Sequence, residues 1–136
     1  MENFSLVKVK WSEHRERLKP FIDEIGLKAD DPQLYTNIDK ACSNEWAFLF
    51  LADEGFTVLR PRAKNNINYI EISVAYCSSG DVTSHFVPLV YAIAKKTDAQ
   101  FIEFLTVRKG VRKIAKRAGL TYHGQHQHLA IWRYYL

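Results

Sequence analysis

Glu71 is the one charge inside the apolar run from Ile67 to Tyr76 (INYIEISVAY). A carboxylate in that setting can act as a general base, or hold a water that does. The same pattern describes the solvent-facing position of a half-buried strand. Just beyond it, Ser78-Ser79-Gly80 leads to Thr83 and Ser84. Small residues and hydroxyls before a helix can cradle phosphate on backbone N–H groups; they also make ordinary turns and N-caps. Cys77 opens this loop. A thiol near a helix N-terminus can be reactive, whereas a strand-end cysteine commonly serves as a small hydrophobe. His123, His126 and His128 lie within His-Gly-Gln-His-Gln-His. Zinc or nickel could use such a set, but no fourth ligand is nearby, so no metal is expected and the run reads as a polar hairpin. Arg108, Lys109, Arg112, Lys113, Lys116 and Arg117 suit phosphate electrostatically, and also suit a solvated helix face. No Ser-His-Asp arrangement emerges from the spacing.

The chain that must position these groups has 136 residues, the size of one domain, here taken as 1–136. Apolar residues make up 47% and charged residues 25%, the mixture of a globular domain. Aromatics at 13% and a net charge of +4 exclude intrinsic disorder. Two cysteines do not make a disulfide framework. No apolar run approaches the roughly 20 residues that span a bilayer, and Met1 to Trp11 is charged and alternating, without a signal-peptide apolar core. The expected location is cytoplasmic.

Phe4 to Trp11 reads as a first strand, with its clean alternation at Val7, Val9 and Trp11. Ser12 is a plausible N-cap for a helix carrying Leu18, Phe21, Ile22 and Ile25, with a kink or restart at Pro20 and a stop at Gly26. Asp31-Pro32 signals a second helix, with Leu34, Tyr35, Ile38, Ala41 and Cys42 on one face. Trp46 to Ala52 and Phe56 to Arg62 read as strands joined by Asp53-Glu54-Gly55. Asn65-Asn66 marks a turn into Ile67 to Tyr76, where Ile70, Ile72 and Val74 alternate with Glu71 and Ser73. A helix follows from Thr83 or Ser84 to about Lys96, then a strand from Gln100 to Val107. Val111, Ile114, Ala115 and Ala118 give a further helix ending at Gly119. Leu120 to His123 and His128 to Tyr135 close the chain as strands. The order is β-α-α-β-β-β-α-β-α-β-β: an α/β fold with a mixed, mainly antiparallel sheet and helices on both faces, containing a parallel pair within Ile67 to Gly119.

This order resembles the GNAT superfamily of acyl-CoA-dependent N-acetyltransferases over nearly the whole chain. Ile70-Glu71-Ile72-Ser73-Val74-Ala75-Tyr76 followed by Ser79-Gly80 is similar to that family's x-Glu-x-x-Val strand and glycine loop. Ile114-Ala115-Lys116-Arg117-Ala118-Gly119-Leu120 is similar to its Leu-Tyr-x-x-x-Gly-Phe helix ending. The match has departures. Cys77 stands at the Arg/Gln position, Val82 at the second Gly or Ala, Ala115 at the usual Tyr, and Arg108 near the usual Asn.

The resemblance implies direct transfer of acetyl from acetyl-CoA, as co-substrate, to the amine of a small molecule or protein. It implies that Glu71 accepts the proton, directly or through water, and leaves Tyr76 or Tyr122 as candidate acids for the leaving thiolate. The pantetheine arm would lie along the strand carrying Val74 and Tyr76. Ser78, Ser79, Gly80, Thr83 and Ser84 would hold the pyrophosphate, with Arg108 and Lys109 near the adenosine phosphates. The departures define an alternative: a non-catalytic GNAT-like structural or interaction protein, such as a phage virion-associated or host-interacting component. Arg60, Arg62 and Lys64 add to the basic surface, but no nucleic-acid motif appears and nucleic acid is not the expected partner. No membrane partner is expected. A homodimer could form if an exposed C-terminal strand paired across a two-fold axis.

Overall fold

The computed structural model describes residues 6–78, 82–106, 119–126 and 129–136. Its elements run β1 (Val7–Val9), α1 (Arg15–Lys28), α2 (Leu34–Ser43), β2 (Phe48–Ala52), β3 (Gly55–Lys64), β4 (Ile67–Cys77), α3 (Val82–Ala94), β5 (Phe101–Thr106), β6 (Thr121–His126) and β7 (Leu129–Tyr135). All strands join one seven-stranded sheet in the order β1-β2-β3-β4-β5-β7-β6. Only β4 and β5 pair in parallel; the other neighbours are antiparallel. The helix expected from Val111 to Ala118 lies outside the described residues.

Helices cover both faces. Leu18 and Ile22 of α1 and Ile38 and Ala41 of α2 pack on Leu49, Phe56, Val58 and Val74. Val90 and Ala94 of α3 pack on Leu59, Ile70 and Ile102, and Val87 meets Leu120 and Trp132 beside them. Each face buries apolar side chains that alternate along the strands, which fixes register, because a slip of one residue would turn them to the wrong side.

Several local expectations are corrected. The first strand covers only Val7–Val9 of the anticipated Phe4 to Trp11, of which Phe4 and Ser5 fall outside the described residues. Trp11 instead starts a 3-10 turn, Trp11–Glu13, is buried, and donates from Nε1 to Asp39 Oδ1 at 2.7 Å. Ser12 therefore caps nothing; α1 starts at Arg15, with His14 at its N-cap position. Pro20 does not restart α1, which runs unbroken to Lys28. Its ring is on the exposed side, so the carbonyl it leaves without an N–H partner faces water.

Gly26 is not a stop. It lies buried inside α1, where the chain returns to begin α2: Asp31 N donates to Gly26 O at 2.7 Å. The second helix begins at Leu34, two residues beyond Pro32, after Asp31 Oδ1 has accepted from Gln33 N. The strand expected from Trp46 starts at Phe48. Asn65 and Asn66 adopt φ of 54° and 65°, the left-handed pair of a tight hairpin turn. The C-terminal strand β7 lies inside the sheet, between β5 and β6, so the edge available for pairing is β6 rather than the chain's end.

One correction reorganises the sheet. Val58 pairs with Val74, but Leu59 pairs with Ile72, so Ser73 is an extra residue, a β-bulge in β4. Ile70 and Ile72 face α3, whereas Val74 and Tyr76 face α1. The three residues read as one alternating face are thus split between two. A second bulge lies in β6 between Tyr122 and Gln125, where Gly124 takes φ of 92°. Among the described residues, no helix is long and apolar enough to cross a membrane.

The Gly26 contact gives a test. Alanine normally stabilises a helix interior by about 1 kcal/mol over glycine. A Cβ here would stand 2.6 Å from the Asp31 carbonyl oxygen and 3.2 Å from Leu34 Cβ. Gly26→Ala is expected to destabilise the protein by about 1–3 kcal/mol in urea unfolding, because the backbone turn must shift.

Candidate active site at the fork between two parallel strands

The parallel pair is short. Only Ile70 with Ile102 and Glu71 with Glu103 are in register. Beyond Glu71, β4 continues to Cys77 along β3, while β5 continues to Thr106 along β7. The two strands part at Glu71, leaving that side of β4 without a strand partner among the described residues. The bulge at Ser73 falls just past the fork.

Four charges cross the sheet in one row on the side of α1 and α2. Arg60 of β3 is the register partner of Glu71, Glu71 of Glu103, and Glu103 of Arg133 in β7. The outer pair is tightly closed: Arg133 Nε donates to Glu103 Oε2 at 2.8 Å, and the Arg133 guanidinium lies 4.4 Å over the Phe101 ring. Burial acts to lower the Arg133 pKa, but hydrogen bonds with Tyr135 and Glu103 outweigh it and raise it, so the group stays charged. Phe101 is stacked on Tyr69, with centroids 4.8 Å apart and planes 13° apart.

Glu71 is held differently. Its Oε2 accepts from Ser73 Oγ at 3.0 Å, and its Oε1 lies 3.9 Å from Arg62 Nη1, beyond hydrogen-bond length. Its side chain is 22% exposed against 12% for Glu103. Of two adjacent carboxylates, Glu103 is closed onto a guanidinium and Glu71 is not. Ser73, two residues along the strand, lies on the same side as Glu71 and within reach of its carboxylate.

Glu71 lines a cavity of about 250 Å³ between the sheet and the two helices. Ile25, Leu34 and Ile38 form its apolar wall; Arg60, Glu71 and Ser73 face it from the strands. Tyr76 is elsewhere. It packs 4.8 Å from Phe21 and stacks on Phe56 at 5.9 Å, and it lines a separate cavity of about 260 Å³ with Arg17, Glu54 and Ser78. Glu71 and Tyr76 thus share a strand face but line no common cavity. Val74 is buried, its side chain in the core rather than on an open groove.

Ser78 follows β4, exposed, with its N–H donating to Glu54 O at 2.7 Å. Thr83 and Ser84 fall in the first turn of α3, which Val82 begins. Ser79, Gly80, Arg108, Lys109 and His128 lie outside the described residues. Tyr122 is exposed on β6 and meets Trp132 edge-on at 5.5 Å. His126 ends β6, and His123 Nε2 is 2.8 Å from Tyr135 Oη. Among the described residues no three His, Cys, Asp or Glu side chains converge as metal ligands.

The reactive-thiol reading of Cys77 meets a buried side chain whose Sγ donates to Glu54 Oε2 at 3.8 Å. Cys42 is also buried and forms no disulfide; burial, then the Asp39 charge, pushes its thiol up to about 12.

The sequence reading missed Glu103, Arg133 and Ser73, and placed Arg60 only on a basic surface. A signal was present for two of them. Glu103 in FIEFLT and Arg133 in LAIWRYY are lone charges in apolar strands, the pattern that singled out Glu71.

No protein-family model and no curated protein sequence matches the chain. Solved structures do. An acetyltransferase of the GNAT family from Listeria monocytogenes superposes with a TM-score of 0.68 at 10% identity, covering 98% of this chain and 95% of that one. A glucosamine N-acetyltransferase region of a fungal multi-domain β-N-acetylglucosaminidase gives 0.65 at 12% identity, covering 92% of this chain and 18% of that one. A histone acetyltransferase-related protein from Corynebacterium glutamicum gives 0.57 at 13% identity, over 99% and 98% of the two chains. The architecture of this chain is therefore the GNAT acetyltransferase fold.

Two measurements check this geometry. Arg133→Met leaves the Glu103 carboxylate without its partner and is expected to lower urea stability by about 1–3 kcal/mol. Adding Glu103→Gln to it should recover part of the loss, since the uncompensated charge is gone. For the thiols, native protein at pH 8 should react with a disulfide reagent far more slowly than unfolded protein, which should titrate both Cys42 and Cys77.

Proposed function

We propose that the chain is an acyl-CoA-dependent N-acetyltransferase that passes acetyl directly from acetyl-CoA to an amine. The observation that carries this reading is the fork: β4 and β5 part at Glu71, and the carboxylate left available for a proton stands at the vertex. The fold of the structural neighbours supports it.

The residues present fit the co-substrate in two respects. β4 past Glu71 offers backbone groups unmatched by β5 to an extended amide-bearing arm. The N-terminus of α3, which follows that strand, presents N–H groups suited to a pyrophosphate. Ser78, with Ser79 and Gly80, would lie at that end, and Arg108 and Lys109 would add positive charge. Acetyl-CoA supplies an activated thioester, which an amine can attack without covalent help from the protein.

The amine nitrogen attacks the thioester carbonyl carbon. A C–N bond forms, the C–S bond breaks, and its electron pair leaves on sulfur. Glu71 takes the proton from nitrogen, directly or through a water, while the Ser73 hydroxyl holds one of its oxygens in place. The thiolate gains a proton from solvent. Tyr76 has no role in this scheme, since it lines the other cavity. Positioning and backbone N–H stabilisation of the developing oxyanion carry much of the remaining barrier reduction.

The first test is calorimetric titration with acetyl-CoA and CoA. Saturable binding, abolished by Gly80→Asp, is the expected result; absence of binding to folded protein at millimolar ligand would refute the reading. Glu71→Gln should then lower kcat by about 10²–10⁴-fold while acetyl-CoA binding is retained.

A further inference from the structure

Arg60 and Glu71 face each other across β3 and β4, where opposite side chains stand about 4.5–5.5 Å apart at Cβ. Opposite charges in such positions commonly pair, yet these two do not. The cation recorded beside Glu71 is Arg62, at 3.9 Å, while the Arg60 guanidinium lies 5.6 Å over the Trp46 ring. Arg60 has no carboxylate partner among the described residues. Both side chains line the cavity of about 250 Å³, with Ile25, Leu34 and Ile38 opposite them. The cavity thus offers one cation, Arg60, with the Glu71 carboxylate facing it on the sheet, and an apolar wall opposite, within the span of a single small molecule; a second carboxylate, Asp31, lines it from the helix side and accepts from Gln33 N through Oδ1.

We propose that the acceptor is an α-amino acid with an apolar side chain, its amino group at Glu71 and its carboxylate at Arg60. This rests on the transferase reading above and adds the acceptor class to it. An amino acid carries its ammonium and carboxylate on one carbon, matching two facing positions on neighbouring strands. Guanidinium binds carboxylate through two parallel hydrogen bonds, and the Trp46 ring holds the Arg60 guanidinium from outside. The ammonium gives one proton to solvent to become the free amine, and Glu71, already beside the nitrogen, takes the second as the C–N bond forms, so binding and base catalysis use one contact. The side chain then lies against Ile25, Leu34 and Ile38. A diamine would set its second cation against Arg60.

The test uses L-leucine, isoamylamine (the same molecule without its carboxylate), L-leucinamide and putrescine. Acetyl-dependent thiol release is measured for each, and calorimetric binding of each to the CoA-loaded protein is measured separately. L-leucine is expected to exceed isoamylamine and L-leucinamide by at least about tenfold in kcat/KM, from one charge-assisted contact. Arg60→Gln should collapse that ratio toward one, chiefly by raising KM for L-leucine, and Arg60→Lys should restore part of it. Equal or better turnover of isoamylamine, L-leucinamide or putrescine overturns the acceptor assignment and leaves the transferase reading standing. Arg60-dependent binding of L-leucine without its acetylation also overturns the acceptor assignment, whereas the transferase reading itself falls only if the folded protein does not bind acetyl-CoA. Failure of L-leucine to bind or react, in protein that binds acetyl-CoA and has wild-type urea stability, overturns the proposal.

Discussion

The extra residue at Ser73 decides which way the second half of β4 faces, and much of the site depends on that reversal. With strict period two, Ile70, Ile72, Val74 and Tyr76 would share a side and crowd α3, leaving α1 without its central contacts. The bulge divides them, so Ile70 and Ile72 fill the layer under α3 while Val74 and Tyr76 fill the layer under α1. A bulged strand also bends and gains twist. That bend accompanies the parting of β4 from β5 after two register pairs. Thr57, fully buried, donates from Oγ1 to Val74 O at 2.9 Å and ties β3 to the strand just past the irregularity.

Around the fork, electrostatics separate two chemically identical groups. Glu71 and Glu103 are neighbours on one sheet face, and two uncompensated carboxylates there would repel each other. Arg133, stacked on Phe101 and bonded to Glu103, removes one of the charges. The stack continues through Phe101 to Tyr69, so the orientation of Arg133 is set by packing as well as by charge. Glu71 is left with a hydroxyl and a distant guanidinium, a setting that orients a carboxylate without neutralising it.

The order of the described elements was legible because it rests on periodicity and turn chemistry. Hydrophobic alternation marks β4, runs of apolar residues mark β5 and β7, and Asn65-Asn66 marks the β3–β4 hairpin. What escaped were features set by tertiary contact. Gly26 reads as a helix stop by type, but here it makes room for a returning backbone. Pro20 reads as a kink or restart, yet α1 continues past it, with the proline on the exposed side of the helix. A bulge leaves no trace in the sequence INYIEISVAY, since β-branched and small residues fit either register. Glu71 could be found as a lone charge in an apolar strand. Its partners could not, because cross-strand neighbours depend on strand order, and β7 enters the sheet between β5 and β6.

The two margins of the sheet are unlike its interior. β1 spans three residues, with Lys8 folded over the Phe48 ring at 4.2 Å. β6, at the opposite margin, is interrupted by the bulge at Gly124, where a positive φ turns the backbone. Neither presents a long, flat row of unpaired amides, which is the template that an incoming strand requires. Along the described strands, both margins therefore make a poor template for edge-to-edge aggregation.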